Sequence, residues 1–175
     1  MSSARMAIYD RHLRKFKGWD ERLIVQFGGD FGRLAEWRSY FGTPPTIVGS
    51  GEEQPEGVGD FVVGVDSDIG RTCWLINDLY GAPDVVIDAR DDRKAVLFHE
   101  MYRIMKCPGV YIMENTRKRK DGEDLLMEQI VQISSWWKAG GPGYTARFTH
   151  GIHVYSDVAV FEKRVVEDPR KWGTG

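Results

Sequence analysis

The sequence predicts an α/β protein: a mostly parallel sheet with helices on both faces, finished by a C-terminal antiparallel hairpin. Two observations lead there. Short apolar runs of strand length alternate with segments of helical period, the pattern of strands layered by helices. Near the C-terminus the alternation stops, and Ile152–Tyr155 and Val158–Phe161 follow each other with only Ser156 and Asp157 between them. A parallel connection needs about a dozen residues, so these runs can pair only antiparallel.

Along the chain, Tyr9–Phe16 reads as a short leading helix within an N-terminal region of residues 1–20. Leu23–Phe27 (LIVQF) is the first strand. Gly28, Gly29, Asp30, Phe31 and Gly32 then turn the chain into a helix from Arg33 to Phe41, which sets Leu34, Trp37 and Phe41 on one face. After Pro44 and Pro45 comes a short second strand, Thr46–Gly49. Ser50–Asp60, rich in Gly, Glu and Pro, reads as a loop and leaves little room for a crossover helix before the third strand, Phe61–Val65. Ile69–Tyr80 is the next helix, with Trp74 and Leu75 opposite Arg71 and Asn77. The continuously apolar fourth strand, Asp84–Ile87, fits a central parallel position. Lys94–Met105 is helical and must stop before Pro108, which has no N–H to donate and restricts the residue before it. Val110–Met113 is the fifth strand, Asp124–Trp137 a helix, and Ala139–Tyr144 (AGGPGY) a turn.

Composition sets the outer limits. A chain of 175 residues reads as a single domain with a short tail at 165–175, able to bury roughly two thirds of its extended surface. Its two cysteines, Cys73 and Cys107, are too few for a disulfide framework and read as reduced core residues of a cytoplasmic protein. The N-terminus lacks the apolar stretch of a signal peptide, and no apolar run reaches the roughly 20 residues of a membrane span. A formal net charge of -2 argues against nucleic acid or anionic lipid as a partner. The basic run Arg117–Lys120 reads as a solvated loop.

Five segments carry a resemblance: IYDRHLRKFKG, FGRLAEWRSYFG, PDVVIDARDD, CPGVYIMENTRK and GIHVYSDVAVFEKR, covering about Ile8 to Lys163. Their order and spacing resemble the macrocin-type O-methyltransferases, which use S-adenosylmethionine, and their relatives named for cephalosporin hydroxylase. The resemblance implies the Rossmann-like fold of class I methyltransferases, and methyl transfer to a sugar or natural-product hydroxyl with help from magnesium. It places a metal-ligand pair on Glu114 and Asn115. The family's fourth-strand motif, two aspartates followed by Gly-Ser-His, falls on Asp88, Ala89, Arg90, Asp91 and Asp92. The metal set implied is thus Asp88, Glu114 and Asn115, with Asp92 where the family has its histidine base.

The family's cofactor positions map less directly. Gly28, Gly29, Asp30 and Gly32 form the turn where backbone approaches the cofactor, although the segment is not the dinucleotide fingerprint. Gln26 is a neutral residue in a first strand that lacks the family's acid. Glu52 lies just beyond the ribose-binding position, and Asp66 follows the third strand. Ala89 has no oxygen for a metal, and Asn115 can coordinate only through a neutral carbonyl.

Asp92 and His153 are the candidate acid–base residues. An ordinary carboxylate titrates near pH 4, well below the range of a good general base, so Asp92 would need the push of Asp88 and Asp91 against Arg90 and Arg93. His153 is otherwise a polar residue bonded within the sheet, and Asp92 a helix cap. Three functions stay open: a methyltransferase acting on a small molecule, a non-methylating cyclase or lyase in the same cleft, and a catalytically silent subunit with a protein partner. Trp136 or Trp137 facing solvent would favour a homodimer.

Overall fold

The computed structural model describes residues 3–19, 21–28, 32–42, 46–51, 61–64, 68–90, 94–116 and 148–163. The strands are β1 (Leu23–Phe27), β2 (Thr46–Gly51), β3 (Phe61–Gly64), β4 (Val85–Asp88), β5 (Gly109–Glu114), β6 (Thr149–Val154) and β7 (Val158–Lys163). The helices are α1 (Ser3–Leu13), continued by a 3-10 turn at Arg14–Phe16, α2 (Gly32–Phe41), α3 (Ile69–Tyr80) and α4 (Lys94–Ile104). One sheet runs β3-β2-β1-β4-β5-β7-β6. The first five strands pair parallel, and β7 joins β5 and β6 antiparallel. This is the Rossmann-like arrangement expected, with the ends of β1, β4 and β5 side by side.

Strand alternation sends successive side chains to opposite faces, and each face has its own core. Val85, Ile87, Val110 and Ile112 pack with Tyr9, Leu13, Leu34 and Trp37 of α1 and α2. Val86, Tyr111 and Met113 pack with Ile76 of α3 and Phe98 and Met101 of α4. Phe98 stacks on Tyr102 at 4.9 Å and meets Phe161 at 4.6 Å, so aromatic contacts bind α4 to the hairpin strand β7.

Several elements differ from the sequence expectation. The first helix begins at Ser3, ahead of Tyr9, because its first turns are recruited by a tertiary contact, Arg5 reaching Glu114 and Asp157. On α3 the buried face is Ile69, Thr72, Cys73 and Ile76, while Trp74 and Leu75 are about half exposed (51% and 45%). Four-residue spacing from Ile69 to Cys73, not bulk, chose the inward face. Asp68 caps this helix by accepting from the Arg71 N–H at 3.2 Å. Cys73 is buried, and burial pushes its thiol up to about 12, but Cys107 is exposed in the turn before β5 and is no core residue. Among the described residues no helix is long and apolar enough to cross a membrane. The expected helix at Asp124–Trp137, the turn at Ala139–Tyr144 and the basic run Arg117–Lys120 lie outside the described residues.

At the other end of the strands, Asp84 ties three of them together. Its backbone N–H donates to Leu23 O, its carbonyl accepts from Val110, and its carboxylate accepts from the Leu23 N–H at 2.8 Å and Lys106 Nζ at 2.9 Å. Asp84→Ala would leave the buried Leu23 N–H without its acceptor, a loss of about 1–3 kcal/mol. Denaturant unfolding should register that loss, with Asp84→Asn, whose carbonyl still accepts, losing less.

Candidate functional site

The C-terminal ends of β1, β4 and β5 form the rim where chemistry is expected in an open α/β sheet. β5 delivers Glu114 there, 1% exposed, on the face covered by α1 and α2. Arg33 of α2 grips it with two near-parallel bonds, Nη2 to Oε1 at 2.6 Å and Nη1 to Oε2 at 2.8 Å. Arg5 of α1 adds a bond to Oε2 at 3.2 Å, and the Tyr9 hydroxyl donates to Oε1. Bidentate, charge-assisted pairing of this kind is the strong form of the interaction. Burial alone would raise the Glu114 pKa, but the Arg33 hydrogen bonds and charge, with Tyr9 and Arg5, outweigh it and hold the carboxyl below its usual range. Burial and the same carboxylate push the Tyr9 phenol far upward.

Asp88 ends β4 fully buried, but on the other face. Its Oδ2 accepts from Tyr111 Oη at 3.1 Å, and its Oδ1 from Arg90 N at 3.2 Å and Arg90 Nε at 3.3 Å. Asn115 follows β5 at φ 55, a left-handed conformation that asparagine tolerates better than most residues, and its Nδ2 donates to Ala89 O at 3.2 Å. An aspartate could not make that bond. Ala89 N in turn donates to Phe27 O at 2.9 Å, so the three strand ends are laced together at the rim.

These placements test the implied magnesium site. Ligand oxygens of one magnesium ion sit about 2.1 Å from it, so they must lie within roughly 4 Å of one another. Asp88 and Glu114 point to opposite faces of the sheet, each carboxylate is held by an arginine, and Asn115 presents its amide N–H to Ala89. The described residues Asp88, Glu114 and Asn115 do not fit a shared ion. Asp92 lies outside the described residues.

The glycine after β1 is required by the chain's own packing. Gly28 closes β1 at φ 65, and a Cβ there would meet Arg90 Cγ at 2.6 Å, so only glycine allows β1 and the segment after β4 to come this close. Gln26 is buried. Its Nε2 donates to Gly28 O at 3.0 Å and its Oε1 accepts from Trp37 Nε1 at 3.0 Å, so it braces the turn from beneath. Gly32 opens α2. Gly29, Asp30, Glu52 and Asp66 lie outside the described residues.

His153 does not join this rim. It pairs with Val160, which also pairs with Ile112, two residues before the end of β5. Its ring lies 4.5 Å from that of His12. Burial, with His12 nearby, pushes its pKa down. No sequence motif singles out Arg5, Tyr9, His12 or Arg33. Their signal was available in part: Arg5, Tyr9 and His12 recur at helical spacing on one face of α1.

Comparison with solved structures places this fold among methyltransferases. The chain superposes on MycE methyltransferase from the mycinamycin biosynthetic pathway, in complex with Mg, SAH and mycinamycin VI, with a TM-score of 0.74 at 21% identity over 90% of its length. A second MycE structure, with Mg and SAH, gives 0.73 at 25% identity over 92%. The chain spans only about half of MycE, 49% and 46% of those chains. A methyltransferase from Geobacter sulfurreducens matches with a TM-score of 0.58 at 15% identity, over 94% of this chain and 80% of that one. No protein-family model and no curated protein matches the sequence.

Glu114→Gln should destabilise the protein by about 2–4 kcal/mol at neutral pH, since it strips the partly buried Arg33 guanidinium of its buried countercharge. Because the folded pKa of Glu114 is depressed, its stabilising contribution is complete above the ordinary carboxyl value of 4.5 and disappears as pH falls through the lower folded value. Thermal melts from pH 7 into acid should show a shallower decline for Glu114→Gln than for the natural protein.

Proposed function

We propose that the chain is an S-adenosylmethionine-dependent O-methyltransferase-like protein acting on a natural-product hydroxyl of the macrolide class. The observation that carries this reading is the superposition on MycE across nine tenths of the chain. The rim supports it locally: Gly28 ends β1 in the left-handed conformation and Gly32 opens α2, with Gly29 and Asp30 between them in sequence. In this reading Gly28–Gly32 hold the cofactor by backbone, with Glu52 and Asp66 as the acids for its ribose and cationic groups. The cofactor, when bound, supplies an activated methyl group.

The protein's part is alignment. Methyl transfer needs an acceptor oxygen held in line with the donor, and orientation alone supplies much of the acceleration. Glu114, clamped by Arg33, Arg5 and Tyr9, keeps α1 and α2 fixed against the rim and so fixes the wall of the cleft. Asp92, four residues past the end of β4 in sequence, is the acid–base candidate and would take the acceptor's proton. His153 lies below the rim. No step runs through a metal at Asp88, Glu114 and Asn115.

One observation favours a second reading, a catalytically silent subunit: the carboxylate at the family's metal position is occupied by two arginines. Incubation with S-adenosylmethionine and a macrolide, followed by mass spectrometry, separates the two. Methylated product, formed equally fast within about twofold with and without magnesium, is the expected result. Binding of the cofactor weaker than about 1 mM by calorimetry, with no product, would sink the methyltransferase reading.

A further inference from the structure

Away from the rim, two histidines and a glutamate converge where the reading above uses none of them. His12 comes from α1, His153 from β6 and Glu162 from β7, and one donor atom from each lies within 4.8 Å of the others. The register of the hairpin brings the last two together. Gly151 is opposite Glu162 and His153 is opposite Val160, so His153 and Glu162 are diagonal neighbours on one face. Gly151 supplies the room: a Cβ there would come within 3.0 Å of His153 Nε2, and its absence lets the imidazole lean along the strand toward Glu162. His12 closes the group from above, its Nδ1 2.7 Å from Glu162 Oε1 and its Nε2 2.7 Å from Tyr155 Oη.

We propose that His12, His153 and Glu162 form a three-ligand site for a divalent transition metal of the zinc type. Two imidazoles and one carboxylate suit zinc, cobalt or nickel, whereas magnesium and calcium take oxygen ligands. Donors about 2.0–2.2 Å from a tetrahedral ion sit roughly 3.5 Å apart, so the His12–Glu162 pair at 2.7 Å opens slightly and the remaining donors, within 4.8 Å, draw in, by side-chain rotation with the strands in place. His12 Nδ1–H donates to the Glu162 carboxylate, so a binding ion must displace that proton; the Tyr155 hydroxyl at Nε2 is then the outer partner that fixes the tautomer leaving the Nδ1 lone pair for the metal. His153 and Glu162 are both partly exposed, which gives an ion its entry and leaves a fourth position open to water. The site is separate from the rim. Glu162 lies four residues along β7 from Val158, the partner of Glu114, roughly 13 Å.

An ion here would join α1 to β6 and β7. The test uses the full chain, stripped with a chelator and dialysed, then titrated with Zn2+ by calorimetry and Co2+ by visible absorption. The expected result is one ion per chain at roughly micromolar Kd, cobalt bands of a low-coordinate N/O site, and a raised Tm. His153→Ala, at a partly exposed position, should keep the fold by circular dichroism and weaken binding at least about tenfold, as should Glu162→Gln. His150→Ala, at the exposed neighbour in β6, should bind like the natural chain. Absence of binding at about 100 μM metal by a folded chain, or full affinity in both His153→Ala and Glu162→Gln, would overturn the assignment.

Discussion

A single buried carboxylate organises this protein. Glu114 arrives at the end of a central strand with almost no access to water, and such a charge is tolerable only where countercharges and hydrogen bonds surround it. Those partners come from two helices, Arg5 and Tyr9 from α1 and Arg33 from α2. The ion cluster therefore fixes the distance and rotation of both helices on that face, and the apolar core formed by Leu13, Leu34, Trp37, Val110 and Ile112 packs within the frame it sets. The opposite face has a smaller polar feature, Asp88 with Tyr111 and Arg90, which braces the segment after β4.

The two faces divide the labour. On the α3 and α4 side, stacked aromatic rings and methionines make a core with few polar demands, a surface that tolerates change in volume-conserving steps. On the α1 and α2 side, charges, a tyrosine and two histidines lie between the helices and the sheet. Polar networks of that kind specify one arrangement and are costly when half satisfied. The side of the sheet with the more exacting geometry is also the side from which α1 reaches both the rim and the hairpin.

The sheet was legible in the sequence because burial on both faces leaves near-continuous apolar runs, the LIV of LIVQF and the VVI of VVID, and because two residues between the last runs permit only one pairing. Edges blurred where side chains did not advertise the pairing: β6 begins at Thr149, since Thr149–Gly151 is carried by backbone bonds to β7 across an irregular register. The clamp on Glu114 was not legible, because its partners stand 109, 105 and 81 residues away and no local period announces such a meeting. For Asp88 and Glu114 alternation gives the answer once the register between β4 and β5 is known. The register pairs Asp88 with Met113, which puts it on the face opposite to Glu114.

Asn115 gives the rim an unexpected kind of memory. Its left-handed backbone and its amide bond to Ala89 O are a matched pair, so the position now serves the scaffold. Installing a catalytic ion there by design would demand coordinated replacements at 115, at 89 and at the arginines of the two neighbouring helices, with the changes at 115 and at the arginines each breaking a bond before any benefit appears. Single-step mutational walks from this sequence are thereby funnelled away from metal chemistry at the rim and toward variation elsewhere in the cleft.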